Sequence, residues 1–135
     1  MRLKHHGLEI ELDSAWWAEA GMEDFAPTSR TYSVDSSAAG DHRIFEVSIE
    51  DVREVSRTPG VGVFNDNEQM SARERVLQIL RGFNTGAKIP PVKVVCEPPG
   101  SRYRYKLVNG THRFYCSLAA GFSHVPAVEG SISTL

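Results

Sequence analysis

The sequence predicts one α+β domain, and three features predict it. Short stretches of period-2 alternation recur along the chain, capped helical segments stand between them, and Gly, Pro and Asn mark the joints. A chain of 135 residues, 41% hydrophobic and 24% charged, is long enough to bury one core. No stretch approaches the roughly 18 uninterrupted apolar residues of a membrane span. The opening MRLKHHGLEIELD lacks the apolar segment of a secretory signal, so a soluble, cytoplasmic protein without membrane attachment is expected.

Leu8, Ile10 and Leu12 alternate with Glu9 and Glu11, which predicts a half-buried strand. Asp13 or Ser14 then caps a short helix, AWWAEA, closed by Gly21, and Trp16 and Trp17 are expected to dock it onto the main body. PTSRTYSVDSSAAGD (27–41) reads as a loop or linker, so residues 1–42 form an N-terminal extension packed on a core domain of residues 43–135. IFEVSI (44–49) is a second alternating strand, EDVREVSR (50–57) a turn of helix, and TPGVGV (58–63) a break. The GVG within it is too weak for a phosphate loop, because no GK[ST] follows.

Ser71 and Glu74 form a capping box ahead of Val76, Leu77, Leu80 and Phe83 at helical spacing, which predicts a helix over SARERVLQILRGF (71–83). VKVVC (92–96) is a strand, EPPGS a turn, and RYRYKLV (102–108) its hairpin partner. That second strand carries Tyr103, Tyr105 and Leu107 on the core face and Arg102, Arg104 and Lys106 on a basic face. Asn109 and Gly110 make a turn, Thr111 is expected to cap a helix HRFYCSLAA closed by Gly121, and HVPAV (124–128) is the last strand.

Cys96 and Cys116 have neither CxxC spacing nor further cysteines for a disulfide framework, so both are expected as buried thiols and no metal site is expected. His5 and His6, on opposite faces of a strand, read as a solvated pair. Charge is uneven. Residues 1–40 and 41–70 each hold three Lys+Arg against seven Asp+Glu, whereas residues 71–135 hold nine against three. A chain of net charge −2 does not suit wrapping long nucleic acid, but a local positive surplus suits a small anion.

The informative turn is Asn109-Gly110-Thr111-His112-Arg113, where a strand enters a helix whose first turn is basic. A helix N-terminus is already electropositive, so His112 and Arg113 there cost a few tenths of a kcal/mol to about 1 each unless an anion sits on the free N–H groups. Phosphate at such a terminus gains from both dipole and donors, and Gly110 lets the backbone approach closely. The competing readings are a core-covering His112 and an Arg113 paired with an acidic residue of the extension.

RYKLVNGTHRFYCSLAAGFSHVPAV resembles the signature segment of the ParB/sulfiredoxin superfamily, in which a strand leads through a Gly-x-His-Arg turn into a short helix and a Val-Pro strand. VSIEDV, SARERVLQILRGF and IPPVKVV are similar to the family's first strand, central helix and following strand, so the resemblance spans residues 43–129. It implies a small mixed sheet flanked by helices and a nucleotide-phosphate site at Asn109, Gly110, Thr111, His112 and Arg113. It also implies that Arg75, Gln78 and Arg81 of the central helix contribute. ATP, ADP or CTP are the implied ligands, with any Mg²⁺ arriving on the nucleotide.

Two departures limit the resemblance. Thr111 stands where sulfiredoxins carry their catalytic Cys, and Cys116 lies more than a helical turn further on, so cysteine sulfinate reduction is not expected. Only Gly130 to Leu135 follow the matched segment, where partition proteins add a DNA-binding domain. If catalysis occurs, phosphoryl transfer or nucleotide hydrolysis is the expected class, with His112 as proton carrier and Glu50 (or Asp51 or Glu54) as the carboxylate base. The alternatives are a ParB-like nuclease or nucleic-acid module using Arg102, Arg104 and Lys106, and a non-catalytic interaction domain.

Overall fold

The computed structural model describes residues 1–57 and 62–130. Most of the TPGVGV break, including Gly60 of the GVG motif, lies outside the described residues. An N-terminal hairpin pairs β1 (Arg2–His5) with β2 (Leu8–Glu11) through a turn in which His6 adopts a positive φ of 55°. The pairing of these two strands is an addition to the sequence reading, which set His5 and His6 on a strand without giving it a partner. Helix α1 (Ser14–Glu19) follows, with Asp13 as N-cap accepting from the Ala15 N–H at 2.9 Å.

The segment read as a linker is packed. Tyr32 is buried, donates to the Pro90 carbonyl at 2.6 Å and stacks on Phe83, and Val34 forms a bridge with Ile89. A 3₁₀ turn at Ser36–Ala39, capped by Asp35, leads to the main sheet.

Five strands make that sheet, in the order β3 (Phe45–Ser48), β7 (His124–Glu129), β5 (Val92–Cys96), β6 (Tyr105–Asn109), β4 (Val52–Arg53). It is mixed: β3–β7 and β5–β6 pair antiparallel, β5–β7 and β4–β6 parallel. The predicted helical turn at 50–57 is replaced by a 3₁₀ turn (Ile49–Asp51) running into β4. Val52 is fully buried, and an apolar residue flanked by charged ones serves a strand as well as a helix.

The sheet's two edge strands are thus consecutive in sequence. In a flat sheet four strand spacings of about 4.8 Å would hold β3 and β4 about 19 Å apart. The Ile49–Asp51 turn between them rises only about 2 Å per residue. The sheet therefore curls until its edges nearly meet, and its concave side holds Val47, Ile49, Val52, Val92, Val94, Leu107, Val125 and Ala127.

Helix α3 (Thr111–Ala120) fills the curl. Phe114 and Tyr115 face the sheet, while Cys116 and Ala120 face a second cluster built from α2 (Ala72–Thr85), Leu12, Met22 and Phe122. Burial of consecutive residues on more than one side marks α3 as the central element. The Ser71 half of the capping box of α2 forms, with Ser71 Oγ accepting from the Glu74 N–H at 3.1 Å, while Glu74 Oε1 accepts from the Ser71 hydroxyl at 3.1 Å.

Two readings of individual side chains are corrected here. Cys116 is buried, but Cys96 is exposed: it is the last residue of β5, where its thiol donates to Glu129 Oε1 at 3.5 Å. His5 is not solvated: it is 3% exposed, its Nε2–H donates to the Ile49 carbonyl at 3.1 Å, and its Nδ1 accepts from the Tyr115 hydroxyl at 3.0 Å. His6 donates to the Val52 carbonyl at 3.0 Å. The hairpin turn swings both rings onto the main body, which strand alternation alone does not anticipate.

Candidate functional site

Gly110 is the N-cap of α3, with φ 95° and ψ 30°, so Thr111 is the first helical residue and does not cap it. A Cβ at Gly110 would stand 2.8 Å from Val92 Cγ1 and 3.0 Å from Arg113 Nη2, so both conformation and space require glycine. The first intrahelical bond runs from the Phe114 N–H to the Gly110 carbonyl at 2.9 Å. The N–H groups of Thr111, His112 and Arg113 precede it and belong to the open end of the helix.

That open end lines a cleft of about 850 Å³, within the range of small-molecule sites. Arg57, Arg75, Lys88, His112 and Arg113 line it, together with Asn65, Gln69, Gln78 and Asn109. Val63, Met70, Ile79, Ile89, Pro90 and Val108 supply apolar wall. No Asp or Glu lines it among the described residues. The basic side chains come from the chain after β4, from α2, from the connection into β5 and from α3, elements the core brings together around one opening.

Arg113 is held by an i, i+4 contact, Nη2 donating to Asn109 Oδ1 at 3.1 Å, and its buried Nε has no partner. No carboxylate pairs with it among the described residues. Burial, and then the Arg75 charge, push its pKa down, the signature of a cation lacking its counterion. His112 Nε2 accepts from the Asn65 N–H at 3.2 Å. Burial first, then Arg75, Arg57 and Arg113, hold its pKa below 6.5, so the ring is neutral and carries its proton on Nδ1 as a donor.

The structure gathers Asn109, Gly110, Thr111, His112, Arg113, Arg75 and Gln78 at this cleft. It does not bring Arg81 there. Arg75, Gln78, Ile79 and Gly82 share one face of α2, and Arg81 turns about 110° away from that face, where it lies 3.8 Å from Glu19, which also pairs with Arg73. Nor does it bring Glu50, which is exposed on the 3₁₀ turn and contributes to the field at His5 instead. Asp51 approaches Arg104 at 4.0 Å, and Glu54 lies toward His5, His6 and Tyr103. None of the three carboxylates lines the cleft.

Arg57, Lys88 and Asn65 were not singled out in the sequence. Lys88, beside the Ile-Pro-Pro step, and Arg57, in the chain after β4, are lone cations in connections, and only the fold brings them to the cleft. On the basic strand, Arg104 approaches Asp51 and covers Tyr105, and Arg102 covers Tyr103, so the tyrosine faces are occupied by the protein's own cations. No family model matches the chain. No curated protein is found to be similar to it.

Proposed function

We propose that this chain is a ParB/sulfiredoxin-type domain that binds a nucleotide or another phosphorylated ligand in the cleft at the N-terminus of α3. The single observation that carries the reading is a cluster of basic side chains, Arg57, Arg75, Lys88 and Arg113 beside neutral His112, around an open helix N-terminus with no lining carboxylate among the described residues. Such an arrangement is unfavourable by itself and becomes favourable when an anion enters. The family assignment is supported by the matching order of strand, helix, hairpin, His-Arg turn, short helix and Val-Pro strand.

In this reading the free N–H groups of Thr111 and His112 donate to phosphate oxygens, Arg113 grips them with its guanidinium fork, and His112 Nδ1–H adds a donor. Gln78 and Asn65 provide neutral polar contacts, and Met70, Ile79 and Ile89 offer an apolar seat for the organic part. The function is stated as binding, because the carboxylate base needed for kinase-like chemistry is not at the cleft and His112 is the titratable group there nearest neutrality.

The test is a thermal-shift titration of the full chain with ATP, ADP, CTP and inorganic pyrophosphate. A saturable rise in Tm that is lost in Arg113→Ala, whose apo fold is checked by circular dichroism, is the expected result. Salt-sensitive binding of RNA or DNA that depends on Arg102 and Arg104 and ignores nucleotide would replace this reading with the nucleic-acid one. An inert cleft would leave an interaction domain.

A further inference from the structure

We infer that the cleft selects its ligand as a metal-free polyanion: a di- or triphosphate group in its ionised form, held by cationic side chains and disfavoured once Mg²⁺ rides on it. The inference rests on the phosphate-binding reading above and names the charge state of what enters.

Charge matching carries it. Arg57, Arg75, Lys88 and Arg113 all line the cleft, and none forms an ion pair with a carboxylate among the described residues. Neither of the two segments outside the description, TPGV and SISTL, contains an Asp or Glu side chain. Two acidic residues near the lining in sequence or in charge stay off its cations' hydrogen-bonding atoms: Asp66 is bound to the chain beside it, and Asp35, whose carboxylate feels the Lys88 charge, is bound to Ser37. Asp66 Oδ1 accepts from the Ala72 N–H at 2.6 Å, and Asp35 Oδ1 accepts from the N–H and hydroxyl of Ser37 at 3.1 and 2.6 Å. A fully ionised diphosphate ester brings a charge of about −3 to these four cations, whereas a lone phosphate brings at most about −2.

Mg²⁺ removes that match. The ion brings two positive charges into a cleft already crowded with guanidinium groups, and like charges in a partly desolvated site repel strongly. Sites that welcome the Mg²⁺ complex present one or two carboxylates to the ion's water shell, and this lining presents none among the described residues. The orphaned Nε atoms of Arg57 and Arg113 point the same way, being buried donors of cations that lack an acceptor. His112, with Nε2 occupied by the Asn65 N–H, offers only a donor to the ligand and no lone pair to a metal.

Isothermal titration of the full chain with ADP and with pyrophosphate, in EDTA and then in excess Mg²⁺ at ionic strength matched with NaCl, tests the inference. Affinity in EDTA is expected to exceed that in Mg²⁺ by about tenfold, and pyrophosphate to exceed orthophosphate by about tenfold. Arg75→Gln, on a half-buried position of α2, should weaken binding in EDTA and shrink the Mg²⁺ difference, a change that loss of packing alone would not produce. Equal or tighter binding in Mg²⁺ overturns the inference and leaves the phosphate-binding reading intact. Failure of ADP, ATP, pyrophosphate and orthophosphate to bind under either condition overturns both.

Discussion

Replacing Arg113 with methionine should make the empty protein more stable while removing its response to phosphate ligands. The magnitude follows from its surroundings. Its Nε is buried without an acceptor, and a buried donor left unsatisfied costs about 1–3 kcal/mol. The neighbouring Arg75 charge adds repulsion that salt only partly screens. Against this stands one exposed hydrogen bond, Nη2 to Asn109 Oδ1 at 3.1 Å, whose loss costs about 0.5–1.5 kcal/mol. Methionine keeps much of the apolar stem in place. The balance is a gain of about 1 kcal/mol, or roughly 3–6 °C in Tm for a domain of this size. Urea and thermal unfolding without ligand measure it, and the gain should shrink as salt rises. A loss of more than about 1 kcal/mol would show that Arg113 is part of the scaffold, and the argument from an uncompensated charge would fail.

Three other outcomes are expected. Gly110→Ala places a Cβ 2.8 Å from the fully buried Val92 at a φ of 95°, so it should cost about 2–5 kcal/mol in urea unfolding from strain and overpacking together. Burial pushes the pKa of His5 below the usual imidazole value of 6.5, against the Ile49 carbonyl and the Glu54 and Glu50 charges and with His6 adding in the same direction. The unfolded chain therefore binds more protons, and stability should fall as pH drops through that value towards the folded pKa, with a flatter slope in His5→Phe whatever its absolute stability. Thiol labelling should modify Cys96 in the native protein and reach Cys116 only on unfolding, since Cys116 is fully buried and burial raises its pKa.

How far the fold was legible depended on whether each signal was local. The box at Ser71 and Glu74, the alternation in VKVVC and the glycines at 110 and 121 act within a few residues, and those elements form as expected. The segment 50–57 failed because it is too short to display a period, and its pairing with Lys106 and Tyr105 is set by distant strands. The site divides in the same way. Gly110, His112 and Arg113 are contiguous, and their cost at a helix start can be read directly from the chain. Arg81 was assigned with Arg75 and Gln78, yet the helical period separates it from them, a distinction available in the sequence but blurred by loose alignment. Arg57 and Lys88 have no local signal, because their meaning comes from the curl of the sheet around α3.

The bond between His5 and Tyr115 joins positions 110 residues apart. On a ribosome the first hairpin is made 110 residues before the hydroxyl that bonds its buried imidazole. At translation speeds of about 5–20 residues per second that interval is roughly 6–20 s. Throughout it the hairpin has neither Tyr115 nor the main sheet to rest on, and an isolated two-stranded hairpin is marginal in water. Docking of the hairpin is thus a late folding event that waits on completion of α3, so its protection reports that α3 has been made and seated.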